Sequence, residues 1–172
     1  MLELGSLRAE VLRAARAAFK SIVGTQAEED YCGFALYSDA DAVTVCCSVN
    51  TRAHLARAQA EDPDNSEYYL WSPAEWALEG IGHEHFAALC RRLFADGEEY
   101  VQRREAVYEA CVTALESLVD DGVFGTGTEH VVVFAVSDFE DPVREAEWIR
   151  RLNPPGQAGQ FARWLHAASP HT

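Results

Sequence analysis

The sequence predicts one α+β domain over residues 1–172, with a small antiparallel sheet of three to four strands covered by helices. Three observations predict it. The 172 residues are about one domain's length, and no linker interrupts them. Two runs of alternating apolar residues flank a short polar turn, the pattern of a β-hairpin. Around them, apolar residues recur at spacings of three and four, the pattern of amphipathic helices.

The elements follow in order. Ser6 is read as the N-cap of a first helix with Leu7, Val11, Ala15, Ala18 and Ile22 as its stripe and Gly24 as its stop. Cys32, Phe34 and Leu36 alternate onto one face of a strand, residues 39–42 form the turn, and Val43, Val45, Cys47 and Val49 alternate in the return strand. Asn50 and Thr51 open a short helix through Arg57. Residues 61–67 read as a polar loop and 68–71 as a short strand. Ser72, Pro73 and Glu75 spell a helix start, with Ser72 as N-cap and Glu75 closing a capping box.

Phe86, Leu89, Cys90, Leu93 and Phe94 mark the next helix, which Gly97 breaks. A longer helix from about Glu98 to Asp121 carries Val101, Tyr108, Cys111, Leu115 and Leu118, and Gly122 ends it. Residues 131–136 are apolar on both faces and β-branched, so they read as a buried central strand. Asp141 and Pro142 start a helix holding Val143, Ala146, Ile149 and Leu152, which Asn153, Pro154 and Pro155 stop. Phe161, Trp164 and Leu165 define a last helix, and residues 168–172 read as a frayed tail.

The charge narrows the partners. The chain has 28 acidic against 14 basic residues, a net charge of −14. Residues 25–75 alone carry ten acids and two bases. A field of this sign repels nucleic acid and anionic membrane and attracts basic proteins. No run reaches the roughly 18 apolar residues that span a bilayer. Glu3, Arg8, Glu10, Arg13 and Arg16 interrupt the first segment, which therefore lacks a secretory h-region. The five cysteines are odd in number and Cys46 adjoins Cys47, which fits reduced thiols rather than a disulfide framework. The expected compartment is the cytoplasm, and the oligomeric state is left open.

No motif carries catalysis. His83 and His85 are two residues apart, whereas two metal-binding histidines on one helix face need a spacing of four, so no metal site is expected. The glycines at 122, 125 and 127 follow a helix and precede a strand, the reverse of a phosphate loop. Asp39 and Asp41 suit the hairpin turn. No base or groove signature accompanies any cysteine or Ser72. No catalytic residue and no cofactor are expected. An enzyme built from Asp138, Asp39, Glu75 and His83 is the remotest alternative.

Two clusters are candidate binding sites. Glu61, Asp62, Asp64 and Glu67 run directly into Tyr68, Tyr69 and Trp71. Carboxylates steer a basic partner and aromatic rings anchor it. At least one of Trp71 and Trp76 is expected in the core. The second cluster is Asp138, Glu140 and Asp141, which follow the apolar strand at a position where sites are common, although Asp141 also serves as a helix cap.

Residues 34–41, 50–51, 70–76, 122–125 and 136–138 resemble a bacterial domain of unknown function, the one numbered 4303, within a resemblance spanning about residues 5–155. The block Trp-Ser-Pro-Ala-Glu-Trp at 71–76 is its most specific part. Members of that family are similar in genomic setting to SUKH-type immunity proteins, which lie beside toxin genes. The resemblance implies a cytoplasmic protein that binds a cognate toxin domain, here a basic one, and blocks it. It implies no catalytic residue. A bacterial adaptor or regulator that binds another protein is the alternative.

Overall fold

The computed structural model describes residues 4–25, 30–95, 100–125 and 129–168. The expected helix break at Gly97, the helix start at Glu98, Gly127 of the glycine-rich turn and residues 169–172 of the tail lie outside these.

Helix α1 (Leu4–Thr25) buries Leu7, Val11, Ala15, Ala18, Phe19 and Ile22, the stripe that its spacing dictates. It starts before Ser6 and runs past Gly24, so neither residue marks its ends. Strands β1 (Tyr31–Ser38) and β2 (Val45–Thr51) form the hairpin, pairing antiparallel from Tyr31↔Thr51 to Ser38↔Val45. Asp39 shapes the turn. Its carboxylate accepts from the Val43 and Thr44 N–H groups and the Thr44 hydroxyl.

Helix α2 (Arg52–Glu61) is capped by Thr51, whose Oγ1 accepts from the His54 N–H at 3.2 Å. It lies on the surface and buries no residue. After a 3-10 turn at Pro63–Asn65, residues Ser66–Trp71 form helix α3. The expected strand at 68–71 is therefore corrected. Helical geometry sets Glu67 one turn from Trp71, so its carboxylate accepts from the indole Nε1 at 3.1 Å. No helix starts at Ser72 either. Pro73–Glu75 is a single 3-10 turn, the Ser72 side chain makes no capping bond, and the chain continues into the short strand β3 (Leu78–Glu79).

Helices α4 (Ala87–Ala95) and α5 (Tyr100–Asp120) bury Leu89, Leu93, Tyr108, Cys111, Leu115 and Leu118 as their stripes require. Phe94 is 80% exposed, and Val101 also faces solvent, because both lie near helix ends where the stripe has turned off the core. Gly122 ends α5 with φ +66°, the left-handed conformation that closes a helix.

Strand β4 (Val131–Val136) pairs parallel with β1, from Gly33↔Val131 to Ser38↔Val136. The sheet order is β3-β2-β1-β4, so the sheet is mixed and β4 lies at an edge rather than in the centre. A parallel neighbour requires a crossover, which the stretch containing α4 and α5 supplies. β4 is nevertheless buried on both faces. Val132, Phe134 and Val136 join the core under α1 and α5, while Val131 and Val133 join a second core with Ala35, Trp71, Trp76, Ile149 and Phe161.

Helix α6 (Pro142–Leu152) wraps the open edge and contributes Trp148 and Leu152 to the first core and Ile149 to the second. Asp141 caps it, accepting from the Arg144 N–H at 3.0 Å. Val143, expected inside, is exposed in its first turn. Beyond its last turn, Asn153 closes the edge. Its Oδ1 accepts from Val132 N at 2.8 Å and its Nδ2 donates to Val132 O at 2.7 Å, replacing the missing neighbour strand. Helix α7 (Pro155–Ala168) completes the second helical layer.

Candidate functional site

The block at 71–76 joins layers. Trp71 is 3% exposed and packs edge-on against Phe161 of α7 at 5.2 Å. The Pro73 carbonyl accepts from the buried Ser48 hydroxyl at 2.8 Å, and the Glu75 carbonyl lies 2.9 Å from His54 Nε2. The Trp76 ring lies over Gly33 so closely that an added Cβ would meet it at 2.9 Å. The buried Trp76 Nε1 has no hydrogen-bond partner among the described residues, a cost of about 1–3 kcal/mol that the ring's packing offsets. The most specific residues of the sequence thus hold β1, β2, α2 and α7 together.

The acidic, aromatic segment divides in two. Glu67 is tied internally by Trp71 and by Gln160 Nε2 of α7 at 2.9 Å. Asp62 accepts from the Tyr69 hydroxyl at 3.2 Å and from Asn65 Nδ2 at 2.9 Å. Trp71 is a core residue rather than a surface anchor. Glu61 and Asp64 are exposed, and among the described residues they form no ion pair or hydrogen bond. Tyr68, which follows them in the chain, is 40% exposed, packs edge-on against Tyr69, and its hydroxyl donates to Glu75 at 3.1 Å.

Around α1, α5 and α6, several acids are matched by arginines: Arg16 with Asp121, Arg144 with Glu105, and Arg151 with both Glu109 and Glu116 at 2.9 and 2.8 Å. The Arg151 guanidinium holds the Glu109 carboxyl below its ordinary range. The exposed end of α2 and the following turn carry Glu61 and Asp64 with no such match.

The second cluster lies at the C-terminal ends of the parallel pair, where open sheets place ligands. Ser137 N donates to Ser38 O at 3.0 Å, bringing the loop that holds Asp138 beside the hairpin turn. Helix α5 pins that turn: Tyr100 and Tyr108 hydroxyls donate to the Ala40 carbonyl, and Arg103 Nε to that of Asp41 at 3.0 Å. Asp138 and Glu140 are exposed, and Asp138 adopts φ +54°. Of the residues of the enzyme alternative, Asp39, Glu75 and His83 have local partners. Partial burial opposes ionisation of Asp39, but the Thr44 hydroxyl and the turn N–H groups outweigh it and keep its carboxyl below the ordinary value. Glu75 binds Tyr68, and His83 lies beside Glu84 on an exposed 3-10 turn. Among the described residues no group of three or more His, Cys, Asp or Glu could hold a metal ion.

Next to this end of the sheet lies a feature that the sequence reading did not single out. A cavity of about 310 Å³ opens between β4, α6, α7 and the 71–74 segment. Trp71, Ile149, Phe161 and Trp164 form its walls, with Tyr37 from β1, and Glu145 of α6 is its one charged lining residue. Burial, reinforced by the Asp141 carboxylate one turn earlier, raises the Glu145 carboxyl to about 7. The sequence did carry a signal: Asp141 and Glu145 are like charges four apart on a helix, which is unfavourable unless something else requires them.

All five cysteines are free thiols. Burial pushes Cys32 up to about 11 and Cys47 to about 12, so neither is a nucleophile at neutral pH. No described helix is long and apolar enough to cross a membrane.

A family model described as a domain of unknown function (DUF4303) matches residues 11–154. No curated protein and no solved structure matches the chain.

Proposed function

The chain belongs to the DUF4303 family, and within it we propose the role of a protein-binding module that neutralises a cognate bacterial toxin domain by occlusion. One observation carries the reading: Glu61 and Asp64 are exposed and, among the described residues, without an ion pair or hydrogen bond, and the 40% exposed ring of Tyr68 follows them in the chain. Unmatched carboxylates raise the encounter rate of a basic partner, and a half-exposed tyrosine held by its own hydroxyl bond loses little entropy on contact. The net charge of −14 supports a basic partner and opposes nucleic acid. The resemblance in genomic setting to immunity proteins supports a toxin as that partner and the cytoplasm as the place of action.

The test is capture and protection. Tagged protein is cross-linked in producing cells, and the captured chain is identified and expressed with and without this protein. The expected result is a basic, growth-inhibiting domain, tolerated only with the wild-type chain and not with the E61K/D64K variant. Capture of a harmless partner, or protection unchanged by the double reversal, contradicts the proposal.

A further inference from the structure

The cavity between β4, α6 and α7 lies apart from the exposed carboxylates of the proposed partner face, and its chemistry is different. We propose that it binds a small organic ammonium ion, an arylalkylamine in size and shape, with Glu145 as counter-ion and the Trp71, Phe161 and Trp164 rings as walls. This inference does not depend on the toxin-binding reading.

Size and lining select the ligand class. At about 310 Å³ the cavity is at the small end of ligand pockets, which run from about 300 to 1,000 Å³. Its lining is mainly aromatic and aliphatic, which favours an apolar body. No arginine, lysine or histidine lines it, so a carboxylate or phosphate ligand would find no cation. Its one charge is negative. Among the described residues the Glu145 carboxylate has no ion pair or hydrogen bond, although Arg144 beside it pairs with Glu105. Aromatic faces attract ammonium groups by their quadrupoles, most strongly where water is excluded. An ammonium at this position would restore the ionised state that burial and Asp141 disfavour.

Three groups adjoin Glu145. Asp141 caps the same helix and acts on it directly. From β1, Tyr37 brings a hydroxyl bound to Glu79, and burial keeps it protonated well beyond neutral pH. From α7, His166 lies in the adjoining groove with Ala146 and Leu165. Affinity for an amine should therefore rise as pH rises through about 7, as Glu145 loses its proton.

The experiment is calorimetric and NMR titration of the whole chain with phenethylamine and its neutral analogue 2-phenylethanol. The expected results are saturable amine binding, shifts confined to residues lining the cavity, at least about tenfold weaker binding of the alcohol, and a similar loss in Glu145→Gln. The amine should also bind more tightly at about pH 8 than at about pH 6. Glu145→Gln removes a disfavoured charge and keeps the shape, so it should fold; Trp164→Ala, at a half-buried wall, is the second variant and should weaken amine and alcohol alike. Equal binding of the two compounds, an affinity unchanged in Glu145→Gln, or no saturable amine binding up to about 10 mM overturns the proposal.

Discussion

A Cβ on Gly33 would collide with the Trp76 ring at 2.9 Å. Replacing a strand glycine by alanine usually gains stability by restricting the unfolded chain. Here overpacking dominates, and Gly33→Ala should lose about 1–3 kcal/mol in chemical denaturation; a neutral or stabilised variant would show that Trp76 can move. The buried thiols predict a second result. Native protein at neutral pH should alkylate slowly at Cys32 and Cys47, whereas unfolded, unreduced protein should yield all five thiols; fewer would mean a disulfide. Glu145 sets a pH signature. Its carboxyl is raised from 4.5 to about 7 on folding, so its contribution to stability is fully present below 4.5 and lost as pH rises through about 7. Glu145→Gln should therefore be more stable than wild type above neutral pH, with the gap closing in acid; a constant gap contradicts the burial of that charge. At this scale the sequence was legible where a residue acts through its neighbours in the chain, as with the caps Thr51 and Asp141. Glu67, Asn153 and Glu145 act across 93, 21 or more residues or through a cavity wall, which no local pattern encodes.

At the scale of elements, spacing decided most of the helices and both hairpin strands because their stripes face a core directly beneath them. It failed where a short element is stabilised from outside. Residues 68–71 look β-rich, yet Glu67–Trp71 and Glu67–Gln160 bonds hold them as a helical turn against α7. Ser72-Pro-Ala-Glu75 has the letters of a capping box without the helix to cap, because Trp76 turns into the core over Gly33. The two serine/threonine caps can be separated experimentally. Thr51→Ala should cost about 1 kcal/mol, since its Oγ1 accepts from His54 N at 3.2 Å. Ser72→Ala should change stability by less than about 0.5 kcal/mol, because its half-buried side chain makes no capping bond. Equal losses in the two variants would show that Ser72 caps after all. The strand 131–136 was legible as buried but not as an edge, because two-sided burial there comes from α6 wrapping the sheet and Asn153 bonding its open side.

For the whole molecule, composition foretold the charge but not its distribution. The −14 arises from acids on every layer, and those on α5 are largely answered by arginines of α1 and α6. Exposed pairs of this kind add only about 0–1 kcal/mol each to stability, but they cancel the field locally. Glu61 and Asp64 have no such answer, nor do Asp138 and Glu140 after β4, and the account's central claim is that a basic protein docks at Glu61, Asp64 and Tyr68. The most direct test is the association kinetics of the captured partner at about 50 mM and about 500 mM salt, where the screening length falls several-fold. The account predicts an association rate that drops with salt and with E61K/D64K, while Tyr68→Ala mainly speeds dissociation. An association rate indifferent to both salt and the double reversal would contradict it.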